Sequence, residues 1–153
     1  MISRRTFLGK FLQLVALGTY PIHALFNRVY ADSDPRPEFA AQSIDEVLGY
    51  YFGTTEVADD GSIEIIVPIT TERNHLVPFK IIAPKAEKVA ILTDANPEPM
   101  IMGMDQIKQS PMVLIGRARF SRSGLLYCYV MRNGILGRAS RRVTVSGHWY
   151  ELS

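Results

Sequence analysis

The 153-residue sequence is poor in what most chemistry needs. It has one cysteine, so no intrachain disulfide can form. It has three histidines, His23, His75 and His148, and neither of the two beyond the leader has a second ligand at metal-binding spacing. No H-x-x-x-H, C-x-x-C, G-x-S-x-G, P-loop or dinucleotide fingerprint occurs, so no metal, no cofactor and no catalytic residue is expected, and the chain reads as a non-enzyme. An excess of positive charge is also missing. The formal net charge is +2, but Arg4, Arg5, Lys10 and Arg28 fall in the first 31 residues, which hold no acid. The 17 basic residues less these four leave 13 against 15 acids, which removes the electrostatic footprint of a nucleic-acid binder.

What is present begins with an export signal. Ser3-Arg4-Arg5-Thr6-Phe7-Leu8 precedes an apolar run from Phe11 to Phe26, a charged n-region followed by an h-region. The paired Arg4 and Arg5 are the twin-arginine form of that signal. Pro21 interrupts the run and the clean apolar stretch falls short of the roughly 18 to 20 residues of a membrane span. We therefore expect residues 1–31 to be removed after Val29-Tyr30-Ala31, with Asp32 first in the mature chain, which has no membrane span and resides in the periplasm. The twin-arginine route carries folded proteins, often with a cofactor or a partner already bound. With no cofactor motif downstream, a partner is the better explanation.

Residues 32–42, polar and containing Pro35 and Pro37, read as a linker. Ser43-Ile44-Asp45-Glu46 combines a cap residue with first-turn acids, and Ile44, Val47, Leu48 and Tyr51 recur at helical spacing, so a short helix runs to Gly53. The period then changes to two. Strands are expected around Ile63 to Val67, Val77 to Ile81, Val89 to Thr93, Met112 to Phe120 and Leu125 to Met131, then after Asn133-Gly134 at Ile135 to Ser140 and Arg141 to Val145. About seven short strands with one short N-terminal helix predict an all-β, immunoglobulin-like antiparallel sandwich over residues 43–153.

Two features are candidates for function. Residues 32–107 carry 14 acids and five bases, whereas residues 108–153 carry eight bases and one acid, Glu151. Strand alternation could interleave these charges into solvated mixed faces, or gather Arg117, Arg119, Arg138, Arg141 and Arg142 into one face for an anion or an acidic partner. Cys128 alternates with Leu126 and Val130, opposite Tyr127 and Tyr129, which predicts a core thiol.

The helix ending in Phe52-Gly53, the strand into Pro68, Asn74-His75-Leu76-Val77-Pro78, Asn96-Pro97-Glu98-Pro99 and the closing Arg142-Val143-Thr144-Val145-Ser146-Gly147 together resemble the SoxY family. The resemblance covers about residues 43–147 and includes the export signal. It implies an immunoglobulin-like fold, a role in bacterial thiosulfate oxidation and a small β partner, SoxZ, with other sulfur-oxidation enzymes as further contacts. It also implies a sulfur-carrying cysteine in a flexible Gly-Gly-Cys-Gly-Gly arm. Here the chain departs from the family: His148 stands where the carrier cysteine would be, followed by Trp149 and Tyr150. Imidazole cannot form a persulfide-type bond, so the resemblance predicts a scaffold or docking subunit, with His148, Trp149 and Tyr150 a tail docked on the sandwich or a partner. The alternative is an accessory of another periplasmic oxidoreductase, such as a quinoprotein dehydrogenase, with the sandwich reused without sulfur chemistry.

Overall fold

A computed structural model describes residues 36–73 and 75–147. The signal sequence, the first residues of the expected linker and the His148-Trp149-Tyr150 tail lie outside the described residues. Within the described part of the linker, Pro37 opens a single helical turn, α1 (Pro37–Ala40), and Glu38 and Ala41 are buried. Proline at the first helical position costs nothing, because its missing N–H would have no partner there. Part of the expected linker, Pro37–Ala40, is therefore helical.

Helix α2 (Ile44–Phe52) forms as its caps dictate. The Ser43 hydroxyl accepts a hydrogen bond from the Glu46 N–H at 3.2 Å, and the Glu46 carboxylate accepts one from the Gln42 N–H at 2.9 Å. Gly53 ends the helix at φ +74°, donating its N–H to the Gly49 carbonyl at 3.1 Å. Lys88 places its ammonium on the Tyr51 carbonyl and 4.1 Å from the Tyr51 ring centre, a cation at the negative end of the helix.

Among the described residues nine strands follow, β1 (Ala58–Asp59), β2 (Glu64–Ile66), β3 (Thr70–Glu72), β4 (Val77–Ala83), β5 (Lys88–Thr93), β6 (Met100–Met104), β7 (Met112–Ala118), β8 (Gly124–Arg132) and β9 (Ile135–Ser146). The larger sheet has the order β1-β9-β8-β5-β6, with β3 also on β9, and the smaller has the order β2-β4-β7. β1 and β3 pair with β9 in parallel, so the sandwich is antiparallel except along that margin. The two expected strands 135–140 and 141–145 are one, β9. Asn133 and Gly134, at φ +49° and +75°, close the β8–β9 hairpin in the tight turn their sequence demands.

Two apolar layers result. Between the sheets lie Ile65, Phe79, Ile81, Ile91, Leu126, Cys128, Val130 and Val143. On the other side of the larger sheet, Val47, Leu48 and Tyr51 of α2 cover Ala90, Leu92, Tyr129 and Leu136. The larger sheet is thus buried on both faces at β5, which explains the unbroken apolar run Val89-Ala90-Ile91-Leu92. Each fully buried aliphatic side chain contributes about 1.5–3 kcal/mol.

Candidate functional site

The segment that leads to His148 is held on both sides. β9 runs beside β3 with Thr70, Thr71 and Glu72 against Thr144, Val145 and Ser146. The Thr144 N–H donates to the Ile69 carbonyl at 2.7 Å, the Val145 N–H to the Ser123 hydroxyl at 2.9 Å, and the Ser146 hydroxyl to the Thr71 carbonyl at 3.1 Å. The short β3, with little pattern of its own, exists because β9 offers it a partner. Chain direction and position are consequently fixed up to Ser146, two residues before His148.

Cys128, the one cysteine, sits opposite Ala139 in the β8–β9 ladder and is fully buried with Leu126 and Val130 between the sheets. Tyr129 points to the other layer, under α2, and Tyr127 packs against that layer, as alternation requires. Burial pushes the thiol up to about 12, against a smaller downward pull from Arg132. A thiol neutral throughout the physiological range and closed to reagents is no nucleophile.

The five arginines do not form one face. Arg117 follows Val113 and Ile115 on the outer side of the smaller sheet. With Arg119 it lines a cleft of about 490 Å³ beside Asn96, Met100, Ile101 and Ser121. Asn96 builds its wall, donating to the Arg119 carbonyl at 2.9 Å and accepting from the Ser121 N–H at 3.0 Å. Arg138 lies opposite Tyr129, hence on the far side of the larger sheet, and its guanidinium grips Asp59 at 2.7 and 3.2 Å. The hydrogen bond to Asp59 pushes the Arg138 pKa up. Arg142 shares a hollow of about 290 Å³ with Arg122 and Asp94, and Arg141 turns to the Ser140 carbonyl at 3.2 Å. Sequence clustering thus became separation in space, because Arg117 lies on β7 of the smaller sheet with Arg119 just beyond it, whereas Arg138, Arg141 and Arg142 lie on β9 of the larger sheet.

One charged pair escaped the sequence reading. Asp60 and Arg132 form a largely buried ion pair at the turn end of the β8–β9 hairpin, with the Asp60 side chain lying over Gly137. Partial burial pushes the Asp60 carboxyl up, but hydrogen bonds from the Ser62 hydroxyl and N–H and from Arg132 outweigh it and leave it below its ordinary value. The Asp60-Gly61-Ser62 turn and an arginine just before Asn133-Gly134 were the available signals. Among the described residues no group of histidine, cysteine and carboxylate side chains could hold a metal ion, and no helix is long and apolar enough to cross a membrane.

The family model for sulfur oxidation protein SoxY matches residues 49–148. The chain belongs to the SoxY family. The sulfur carrier protein SoxY from Chlorobium limicola f thiosulfatophilum has the same fold, with a TM-score of 0.63 and 27% identity, over 68% of this chain and 96% of that one. Superoxide reductase (neelaredoxin) from Ignicoccus hospitalis gives a TM-score of 0.46 at 14% identity, over 56% of this chain and 80% of that one. The putative superoxide reductase from Thermotoga maritima gives 0.46 at 11%, over 62% and 89%. None of the curated proteins matches the chain. The resemblance read from the residues and the immunoglobulin-like fold it implied are borne out. SoxY-family membership makes this a carrier-type protein of sulfur oxidation, which is compatible with a non-enzyme. The SoxY match ends at His148, just beyond the clamped end of β9.

Proposed function

We propose that this SoxY-family chain is exported to the periplasm by the twin-arginine route and serves thiosulfate oxidation as a non-covalent scaffold or docking subunit. It pairs there with a SoxZ-like small β protein. The observation that carries the reading is the position of Cys128, the only cysteine in the sequence, fully buried between the sheets. His148 takes the place that the family resemblance gives to the carrier cysteine. The scaffold of a carrier is kept while the sulfur-bonding atom is not, so the retained role is contact with partners. The test is intact-mass spectrometry of the protein incubated with thiosulfate and a reconstituted sulfur-oxidation system, together with co-purification of a SoxZ subunit. The reading requires an unchanged mass and a stable pair. A thiosulfate-dependent mass increase lost in Cys128→Ala would make the chain a carrier, and co-purification with a quinoprotein dehydrogenase in place of SoxZ would move it to the alternative pathway.

A further inference from the structure

The two outer sheet faces are unlike. That of the larger sheet lies under α2, whereas no helix or strand of the described residues covers that of the smaller sheet. The uncovered face is nevertheless aliphatic. Ile66, Lys80 and Ile115 form one row across the three strands, and Glu64, Ile82 and Val113 form the next. Ile115 is 73% exposed, Ile66 48% and Val113 42%. β-branched side chains standing together on an open sheet are the mark of an interaction surface. We infer that this face, Ile66, Ile82, Val113 and Ile115 around Lys80, is where the pairing subunit docks, and that the subunit presents an apolar patch bearing carboxylates. The inference rests on the pairing proposed above and adds its surface and its chemistry.

Charge selects the occupant. Lys80 lies within the patch, Arg117 continues it at one end and Arg119, just past β7, lines a cleft with Arg117, and none of the three has an ion pair among the described residues. Glu64 is the one acid in the two rows, diagonal to Lys80 and not paired with it. A second copy fits poorly, since two such faces, each with more cations than its single acid Glu64, carry like net charge and repel. An acidic, aliphatic partner meets all three cations at once and gains steering in its approach.

The experiment titrates a purified SoxZ subunit against the wild type, Ile115→Asp, Lys80→Glu and, as a control on the far hairpin, Ile135→Asp. Ile115 and Lys80 point to solvent, so unchanged circular dichroism and melting temperature are expected for all. The expected result is binding weakened at least ten-fold by Ile115→Asp and by Lys80→Glu, and changed less than two-fold by Ile135→Asp. The Lys80→Glu loss should shrink with added salt, and this charge reversal keeps the test open should Ile115→Asp fold poorly. Binding of both variants within two-fold of wild type overturns the docking face and leaves the pairing intact. No binding by the wild type overturns the pairing and the face with it. A concentration-dependent dimer of the protein alone, abolished by Ile115→Asp, would assign the face to a second copy and overturn the inference.

Discussion

Protection of Cys128 is the prediction on which a carrier and a scaffold part most sharply. Alkylation requires the thiolate, and the thiol is pushed from 9.0 up to about 12 by burial. At pH 8 a thiol of ordinary acidity is roughly one-tenth ionised, whereas one at about 12 is ionised in roughly one molecule in ten thousand. Ionisation alone therefore slows the native reaction by about 1,000-fold. Access sets a separate limit, because the fully buried sulfur at the centre of β8 is reached only when the sheets part, and the thiol so exposed regains its ordinary acidity. Opening a domain of ordinary stability, about 5–15 kcal/mol, limits the rate by roughly 10⁴-fold or more. Iodoacetamide labelling followed by mass spectrometry, in buffer and in 6 M guanidinium chloride (about the concentration that unfolds most domains), measures the ratio directly. A native rate within ten-fold of the denatured rate would refute the reasoning and return Cys128 to consideration as the sulfur-bearing atom.

Three further outcomes are expected, two from the structure and one from the sequence. Asp60→Asn should destabilise the protein by about 1–3 kcal/mol in urea at neutral pH, because Arg132 loses its one ion-pair partner among the described residues. Since the Asp60 carboxyl is held below its ordinary value, its stabilisation is complete above about pH 4 and fades as the pH falls through the lower folded value. The variant should show a shallower loss of stability with acid, and an unchanged acid limb would disprove the role. Gly116→Ala would set a methyl group 2.5 Å from Cζ of Phe79 and 3.0 and 3.1 Å from its Cε atoms, costing about 1–3 kcal/mol, read as a lower melting temperature. An unaltered melting curve would mean that the ring is free to move. Replacing Arg4 and Arg5 together with lysine should retain the precursor in the cytoplasm, while the wild-type mature chain starts near Asp32. Normal export of the double variant counts against the twin-arginine reading.

Legibility in the sequence followed burial. β4, β5, β7 and β8 have at least one face in the inter-sheet layer, so their alternation or apolar run was visible, and α2 announced itself through Ser43, Glu46 and Gly53. β1 and β3, two and three residues long, carry no such pattern, because their pairing is dictated by β9 rather than by their own side chains. β6 was hidden differently. A register shift opposite Ile91 and Leu92 puts Met102 against the inter-sheet layer and Met100 against the helix layer, which destroys the period of two. Ser140-Arg141-Arg142 suggested a break in β9, yet the strand passes through, with the arginines exposed. The arginine cluster failed for a related reason: proximity in sequence says nothing about which sheet or which face a residue joins. The thiol, by contrast, was legible, since Leu126, Cys128 and Val130 share one parity and one layer.

The clamped end of β9 has a geometric corollary. A chain leaving a fixed point sweeps a sphere whose radius grows by at most about 3.3–3.6 Å per residue, so five residues reach no farther than roughly 18 Å. Hydrogen bonds at Thr144, Val145 and Ser146 anchor the centre of that sphere in the sandwich. Whatever group the chain carries after Gly147 is tethered to that fixed point. The chemistry at the tip can then change without refolding the domain, and any protein that addresses the tip can do so by recognising the rigid body beneath it.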